Sequence, residues 1–76
     1  MLKKDFSFKL NEELDLLGFP LEDHERISAL SKVLGIKRFE AASILHGEML
    51  PNDELIDKIT TELQINMQWL IDKTKH

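Results

Sequence analysis

The sequence predicts an all-α domain, a compact bundle of five short helices with a central helix-turn-helix. Apolar residues recur at three- and four-residue spacing along the chain, and the period-two alternation typical of a β-strand does not persist anywhere. Glycine and proline interrupt this pattern and leave segments of helical length between them. With 76 residues, 42% of them hydrophobic, the chain has enough apolar side chains for one small core.

The first helix is predicted over about residues 7–17. Ser7 is its expected N-cap, because a serine hydroxyl accepts a hydrogen bond from a backbone N–H of the first turn. Gly18 ends the helix and Pro20 prevents its return. The apolar stripe of this helix consists of Leu10, Leu14 and Leu17. The aromatic residues around it are expected in the core, and they are Phe6, Phe8 and Phe19.

A helix-turn-helix is predicted over residues 27–47. Its first helix follows acidic residues that favour the positive end of the helix dipole, with Asp23 as the expected cap. Arg26 and Lys32 are expected on the outer surface of this helix. Gly35 ends it, since glycine adopts the left-handed conformation at little steric cost. Its apolar positions are Ile27, Leu30 and Leu34.

The third helix is predicted over about residues 38–45 and is closed by Gly47. Its expected inward side consists of Ala41, Ile44 and Leu45. Its expected outward side consists of Lys37, Arg38, Phe39, Ala42, Ser43 and His46, with Glu40 among them. Two short helices joined by a turn that contains glycine form a helix-turn-helix unit, and the second helix of such a unit can enter a DNA major groove.

A fourth helix is predicted over about residues 53–63, after Pro51 and with Asn52 or Asp53 as its cap. It is expected to bury Leu55 or Ile56, together with Ile59 and Leu63. A fifth helix is predicted from Asn66, and its apolar residues are Met67, Trp69, Leu70 and Ile71. Residues 73–76 form a polar tail, so we expect a single domain over residues 1–76.

The charge of the chain is unevenly distributed. The net charge is −4, yet residues 22–47 carry four basic and four acidic groups, whereas residues 48–72 carry six acidic groups and one lysine. The acidity is therefore expected behind the helix-turn-helix rather than on it. The chain has no cysteine, no apolar run long enough to span a membrane and no signal-peptide pattern at its start, which predicts a cytoplasmic protein.

Catalytic and metal-binding patterns are not found in the sequence. The three histidines, His24, His46 and His76, do not have metal-ligand spacing. Neighbouring acids such as Glu12 and Glu13 point apart on a helix, and no glycine-rich phosphate loop is present. We therefore expect no metal, no cofactor and no enzymatic activity.

Several landmarks recur at fixed spacing within residues 23–72. An apolar-small-x-x-Leu-Gly-Ile run occupies residues 30–36, Gly47 follows twelve residues after the turn glycine, and Pro51 follows four residues later. An Ile/Leu stripe ends at Leu63, and the closing apolar residues are Ile65, Met67, Trp69 and Leu70. In this ungapped spacing the chain resembles the lambda-repressor-like (Cro-type) helix-turn-helix domains, and its Trp-Leu pair resembles phage and prophage repressors.

The resemblance implies a transcriptional regulator that binds double-stranded operator DNA in a sequence-specific way, as a homodimer. The third helix would lie in the major groove, with base-contact positions at Arg38, Phe39, Ala42 and Ser43. Lys37 would lie at the turn and His46 at a phosphate-contact position. An arginine such as Arg38 can donate two hydrogen bonds to a guanine edge, whereas Lys37 is better placed for a phosphate. The dimer interface is expected around Met67, Leu70 and Ile71, although burial of these residues in the monomer core remains open.

The chain also departs from the family pattern. Ile27 and Gln64 stand where many members have Gln and Gly, and Glu48, Asp53 and Glu54 follow the third helix where the family approaches the DNA backbone. These acids and Phe39 favour an alternative, a protein-interaction module of antitoxin or adaptor type on the same fold. Residues 1–5 are expected to form a flexible arm that either reaches DNA phosphates or only aids solubility.

Overall fold

The computed structural model describes residues 3–65, and these form four α-helices without any strand. The helices are α1 (Lys3–Leu16), α2 (Asp23–Leu34), α3 (Arg38–Leu45) and α4 (Asp53–Leu63). The all-α prediction is therefore confirmed for this part of the chain, which contains four helices. The predicted fifth helix, the dimer interface proposed on it and the polar tail 73–76 lie outside the described residues.

One apolar core connects the four helices. Helix α3 packs against α1 and α2, and α2 also packs against α4. Each helix contributes residues at three- or four-residue spacing, as the periodicity predicts. The buried apolar residues are Phe6, Leu10, Leu14, Ile27, Leu30, Leu34, Ala41, Ile44, Leu45, Leu55, Ile59, Leu63 and Ile65.

Helix α1 begins at Lys3, four residues before the predicted start. The expected flexible arm is thus helical from Lys3 onward. Ser7 is not the N-cap: it lies buried inside α1, and its Oγ donates to the carbonyl oxygen of Lys4 at 3.0 Å. The helix starts early because Phe6 lies one turn before Leu10 and extends the buried stripe. Leu17, expected in that stripe, follows the end of α1 and is 49% exposed.

The three phenylalanines of this region have different environments. Phe6 is fully buried and Phe19 is half-buried against the core, as expected. Phe8 is 65% exposed, so its predicted burial is wrong. Two helical residues correspond to about 200° of rotation, which places Phe8 on the opposite face of α1 from Phe6.

The start of α2 corrects two further predictions. The N-cap is Glu22 rather than Asp23, because a Glu22 carboxylate oxygen accepts from the backbone N–H of Glu25 at 2.8 Å. Asp23 is instead the first helical residue. Arg26, expected on the outside, is only 6% exposed.

Arg26 is buried because its guanidinium group finds several acceptors between α1 and α2. It donates to the carbonyl oxygen of Pro20 at 2.8 Å, to Oδ1 of Asn11 at 3.1 Å and to a carboxylate oxygen of Asp15. The Asn11 amide in turn donates to the carbonyl oxygen of Leu45 at 3.1 Å. Arg26 and Asn11 therefore connect α1, α2 and the end of α3 through charge-assisted and neutral hydrogen bonds.

Helix α4 has the predicted bounds. Asn52 is its N-cap, with Oδ1 accepting from the backbone N–H of Leu55 at 2.9 Å. Leu55 takes the buried position and Ile56 is half-buried. Gln64 follows the helix with a φ of 54°, a left-handed conformation in which a side chain is disfavoured.

Candidate nucleic-acid interface

A tight turn of residues 35–37 joins α2 to α3. Gly35 adopts a left-handed conformation with φ 66° and ψ 36°, and its N–H donates to the carbonyl oxygen of Ser31. The N–H of Ile36 donates to the same oxygen at 3.1 Å, and Oγ of Ser31 donates back to the Ile36 carbonyl at 2.9 Å. These bonds fix the direction in which the chain enters α3.

Helix α3 has the predicted bounds and the predicted inner face. Ala41, Ile44 and Leu45 are all buried in the core. The opposite face consists of the residues that the sequence assigned to DNA contact. The helix is only eight residues long, so these contact positions are close together.

The N-terminal end of α3 is cationic. Lys37 and Arg38 are both exposed, and neither forms an ion pair with any residue between 3 and 65. The Lys37 backbone N–H donates to a Glu40 carboxylate oxygen at 3.4 Å, so this acid is turned toward the start of the helix. The two cationic side chains therefore remain accessible to an anionic partner.

The middle of the outer face is mostly apolar. Phe39 is 66% exposed, whereas Ala42 and Ser43 are half-buried and Ala42 packs partly against the core. Phe39 therefore extends further from the helix surface than its neighbours Ala42 and Ser43. Such a surface can contact a thymine methyl group or an apolar group of a protein.

His46 has a partner that the sequence did not reveal. Its Nε2 lies 2.9 Å and 3.1 Å from the two carboxylate oxygens of Asp23 at the start of α2. Its carbonyl oxygen accepts from Nζ of Lys4 at 3.0 Å. The histidine is exposed, but its Nε2 is already engaged, so contact of this nitrogen with a phosphate would require exchange of Asp23 for the phosphate.

Gly47 lies where the end of α3 contacts α1. Its φ is 72°, and a Cβ atom at this position would lie 2.7 Å from Cδ of Lys4 and 3.0 Å from Oγ of Ser7. The N–H of Glu48 closes the helix end by donating to the Ser43 carbonyl at 2.8 Å. Glycine at this position thus allows close packing as well as the turn.

A groove of about 410 Å³ lies beside the start of α3. It separates the turn of the helix-turn-helix from the first half of α4. Its apolar lining consists of Ile36, Met49, Leu50 and Leu55. Its polar lining consists of Lys37, Glu40, Asn52, Glu54 and Lys58. No periodicity signals this groove, because its walls come from residues up to 23 positions apart in the chain.

The acidic residues that follow α3 are exposed to solvent. Glu48, Asp53 and Glu54 lie in the loop after α3 and in the first turn of α4. Carboxylates in such positions lower the attraction for a phosphate backbone. The interface therefore combines a cationic helix end with an acidic neighbouring segment.

Residues 3–65 contain no cluster of three or more His, Asp or Glu side chains with the arrangement of a metal site. None of the helices in this part of the chain is long and apolar enough to cross a membrane.

The chain matches no protein-family model, no curated protein and no solved structure. The resemblance to lambda-repressor-like domains therefore remains a prediction from the spacing of its residues.

Proposed function

We propose that this chain is a sequence-specific DNA-binding regulator of transcription that places α3 in the major groove. One observation carries the proposal. Helix α3 buries one face through Ala41, Ile44 and Leu45. Its exposed start presents Lys37 and Arg38, which form no ion pair with any residue between 3 and 65. A helix that is fixed on one side and cationic on the other suits entry into a groove lined by phosphates.

Each exposed residue has a distinct role in this proposal. Arg38 donates two hydrogen bonds to a guanine edge, and Lys37 contacts a phosphate. Phe39 and Ala42 contact thymine methyl groups, and the hydroxyl of Ser43 bonds a base or a phosphate. His46 contacts a phosphate through Nε2 only after its bond to Asp23 opens, because Asp23 otherwise occupies this nitrogen.

The proposal extends to the biological setting that the resemblance implies. The protein acts in the cytoplasm as a repressor of phage or prophage type, within the lambda-repressor-like family. It binds as a homodimer, so its two half-sites lie about 34–36 Å apart, one turn of DNA. The operator would then be a two-fold symmetric sequence.

The test is fluorescence anisotropy of labelled duplex DNA, measured at several salt concentrations after selection of a preferred sequence. Wild-type binding should weaken steeply with salt because phosphate contacts release counterions. Arg38→Ala should cost about 1–3 kcal/mol on the preferred sequence and relax the preference at one base position. Lys37→Ala should weaken binding to all sequences alike and reduce the salt slope by about one.

Lys32→Ala is the matched control, because Lys32 is also exposed and unpaired within the described chain but lies on α2. Its effect should be small for every sequence. Equal affinity of the Arg38, Lys37 and Lys32 variants for DNA would contradict the proposal that α3 lies in the major groove. Absence of any wild-type binding at low salt would contradict DNA binding itself.

A second candidate function is a protein-interaction module of antitoxin or adaptor type. The 66% exposure of Phe39 in the middle of the outer face favours it, because exposed aromatic residues commonly anchor protein contacts. A partner that co-purifies with the wild type and is lost in Phe39→Ala would support this function. Phe8→Ala is the matched control, since Phe8 is 65% exposed on α1.

A further inference from the structure

Lys58 is the only basic residue between positions 48 and 72, and by sequence alone it belongs to an acidic segment. The structure places it in a different context. Lys58 lies on α4 and lines the same 410 Å³ groove as Lys37, which belongs to the turn before α3. Two lysines 21 positions apart in the sequence therefore border one surface depression.

Neither of these two lysines is neutralised within the described chain. Both are exposed, and no carboxylate of residues 3–65 lies within ion-pair distance of either one. Asn52 adds a third polar group to the groove. Its Oδ1 is used to cap α4, so its amide NH₂ remains available as a donor.

The groove also contains two carboxylates, but they are not equivalent. Glu40 accepts a hydrogen bond from the Lys37 backbone N–H at 3.4 Å, which holds one of its oxygens at the start of α3. Glu54 precedes Lys58 by one helical turn, and its carboxylate makes no hydrogen bond within the described residues. Glu54 is therefore the acid that opposes anion binding most directly.

We propose that Lys58 is a second phosphate contact of the DNA interface, acting with Lys37 from opposite sides of the groove. The proposal depends on the proposed function, because it assigns the groove to the DNA strand that passes the start of α3. A cationic pair with an amide donor fits a phosphate, and the apolar lining fits the adjacent sugar. Helix α4 then takes part in binding although its overall charge is acidic.

The experiment uses the full chain and a labelled duplex of mixed sequence, titrated by anisotropy between about 50 and 200 mM salt. Lys58→Ala should reduce the slope of log K against log salt by about 0.9, and lower affinity by roughly tenfold at 0.1 M salt. Lys37→Ala should have a similar effect. Lys32→Ala changes the net charge equally but does not line the groove, so it should leave the slope unchanged.

Glu54→Gln should change the affinity for DNA in the opposite direction. When Glu54→Gln is made in the otherwise wild-type chain, the affinity for DNA should rise. When it is made in the Lys58→Ala variant, the gain should be smaller, because both residues face the same phosphate. Asp57→Asn is the control for the general loss of negative charge, since Asp57 is exposed on α4 outside the groove. Circular dichroism of each variant establishes that it is folded.

The outcomes separate the two proposals. If Lys37→Ala weakens binding while Lys58→Ala behaves like Lys32→Ala, the role of Lys58 is overturned and DNA binding through α3 stands. If the wild type does not bind DNA at low salt, both proposals fail together. If Asp57→Asn strengthens binding as much as Glu54→Gln, the gain in affinity comes from the general loss of negative charge. The proposed phosphate contact in the groove is then overturned.

Discussion

The two arginines of this chain are in opposite environments. Arg26 is buried between α1 and α2, and its guanidinium group bonds Pro20, Asn11 and Asp15. Arg38 is exposed at the start of α3 and has no ion-pair partner among residues 3–65. An arginine side chain thus holds two helices together in one region and remains available for a ligand in the other. The difference lies in the acceptors that surround each position rather than in the residue type.

The largest effect on stability is expected at the buried arginine, Arg26. Arg26→Ala should lower the free energy of unfolding by about 2–3 kcal/mol, because the buried guanidinium group is lost and its acceptors between α1 and α2 lose a charged donor. Urea denaturation followed by circular dichroism measures this loss. Arg38→Ala is the matched control and should change stability by less than about 0.5 kcal/mol. Equal effects of the two substitutions would show that Arg26 is not a structural residue.

An intermediate effect is expected at the glycine that ends the helix-turn-helix. Gly47→Ala should cost about 1–2 kcal/mol of stability, since it combines left-handed strain with a close approach to Lys4 and Ser7. Gly35→Ala carries similar strain, but its Cβ would meet no atom within 4 Å, so its cost should be smaller. Thermal unfolding of both variants measures the difference. A larger loss in Gly35→Ala would contradict the role of the α1 contact.

The smallest effect is expected at Gln64, and it has the opposite sign. Gln64→Gly should stabilise the fold by about 0.5–1 kcal/mol, because glycine removes the strain of a φ of 54° while adding some freedom to the unfolded chain. Affinity for DNA should not change, since Gln64 follows α4 and is not one of the proposed DNA contacts. A fall in the melting temperature would show that the Gln64 side chain makes a stabilising contact.

Local sequence signals account for the helix-turn-helix and for α4. Their bounds and buried residues follow from apolar spacing and from the capping and turn residues around them. The same signals failed at Arg26, Phe8 and the start of α1. Burial of Arg26 depends on acceptors up to 15 positions away, and no local pattern encodes such a contact. The extra helical turn of α1 likewise depends on the burial of Phe6 in the shared core.

The candidate site divides in the same way. Its members on α3 were predictable, because they occupy the face opposite a buried apolar stripe. The pairing of His46 with Asp23 was not predictable, and neither was the position of Lys58 and Lys37 on one groove. Both depend on how separate helices pack, which the spacing of residues within one helix does not determine.

The contacts at the end of α3 have a consequence for how quickly a ligand is recognised. An isolated helix of eight residues is unstable in water. Here Asn11 and Lys4 of α1 donate to the carbonyl oxygens of Leu45 and His46, so folding alone immobilises the last turn. Recognition then involves little further loss of backbone entropy and no slow ordering step. In the proposed complex with DNA, affinity differences between sequences should therefore reside in dissociation rates, with nearly constant association rates.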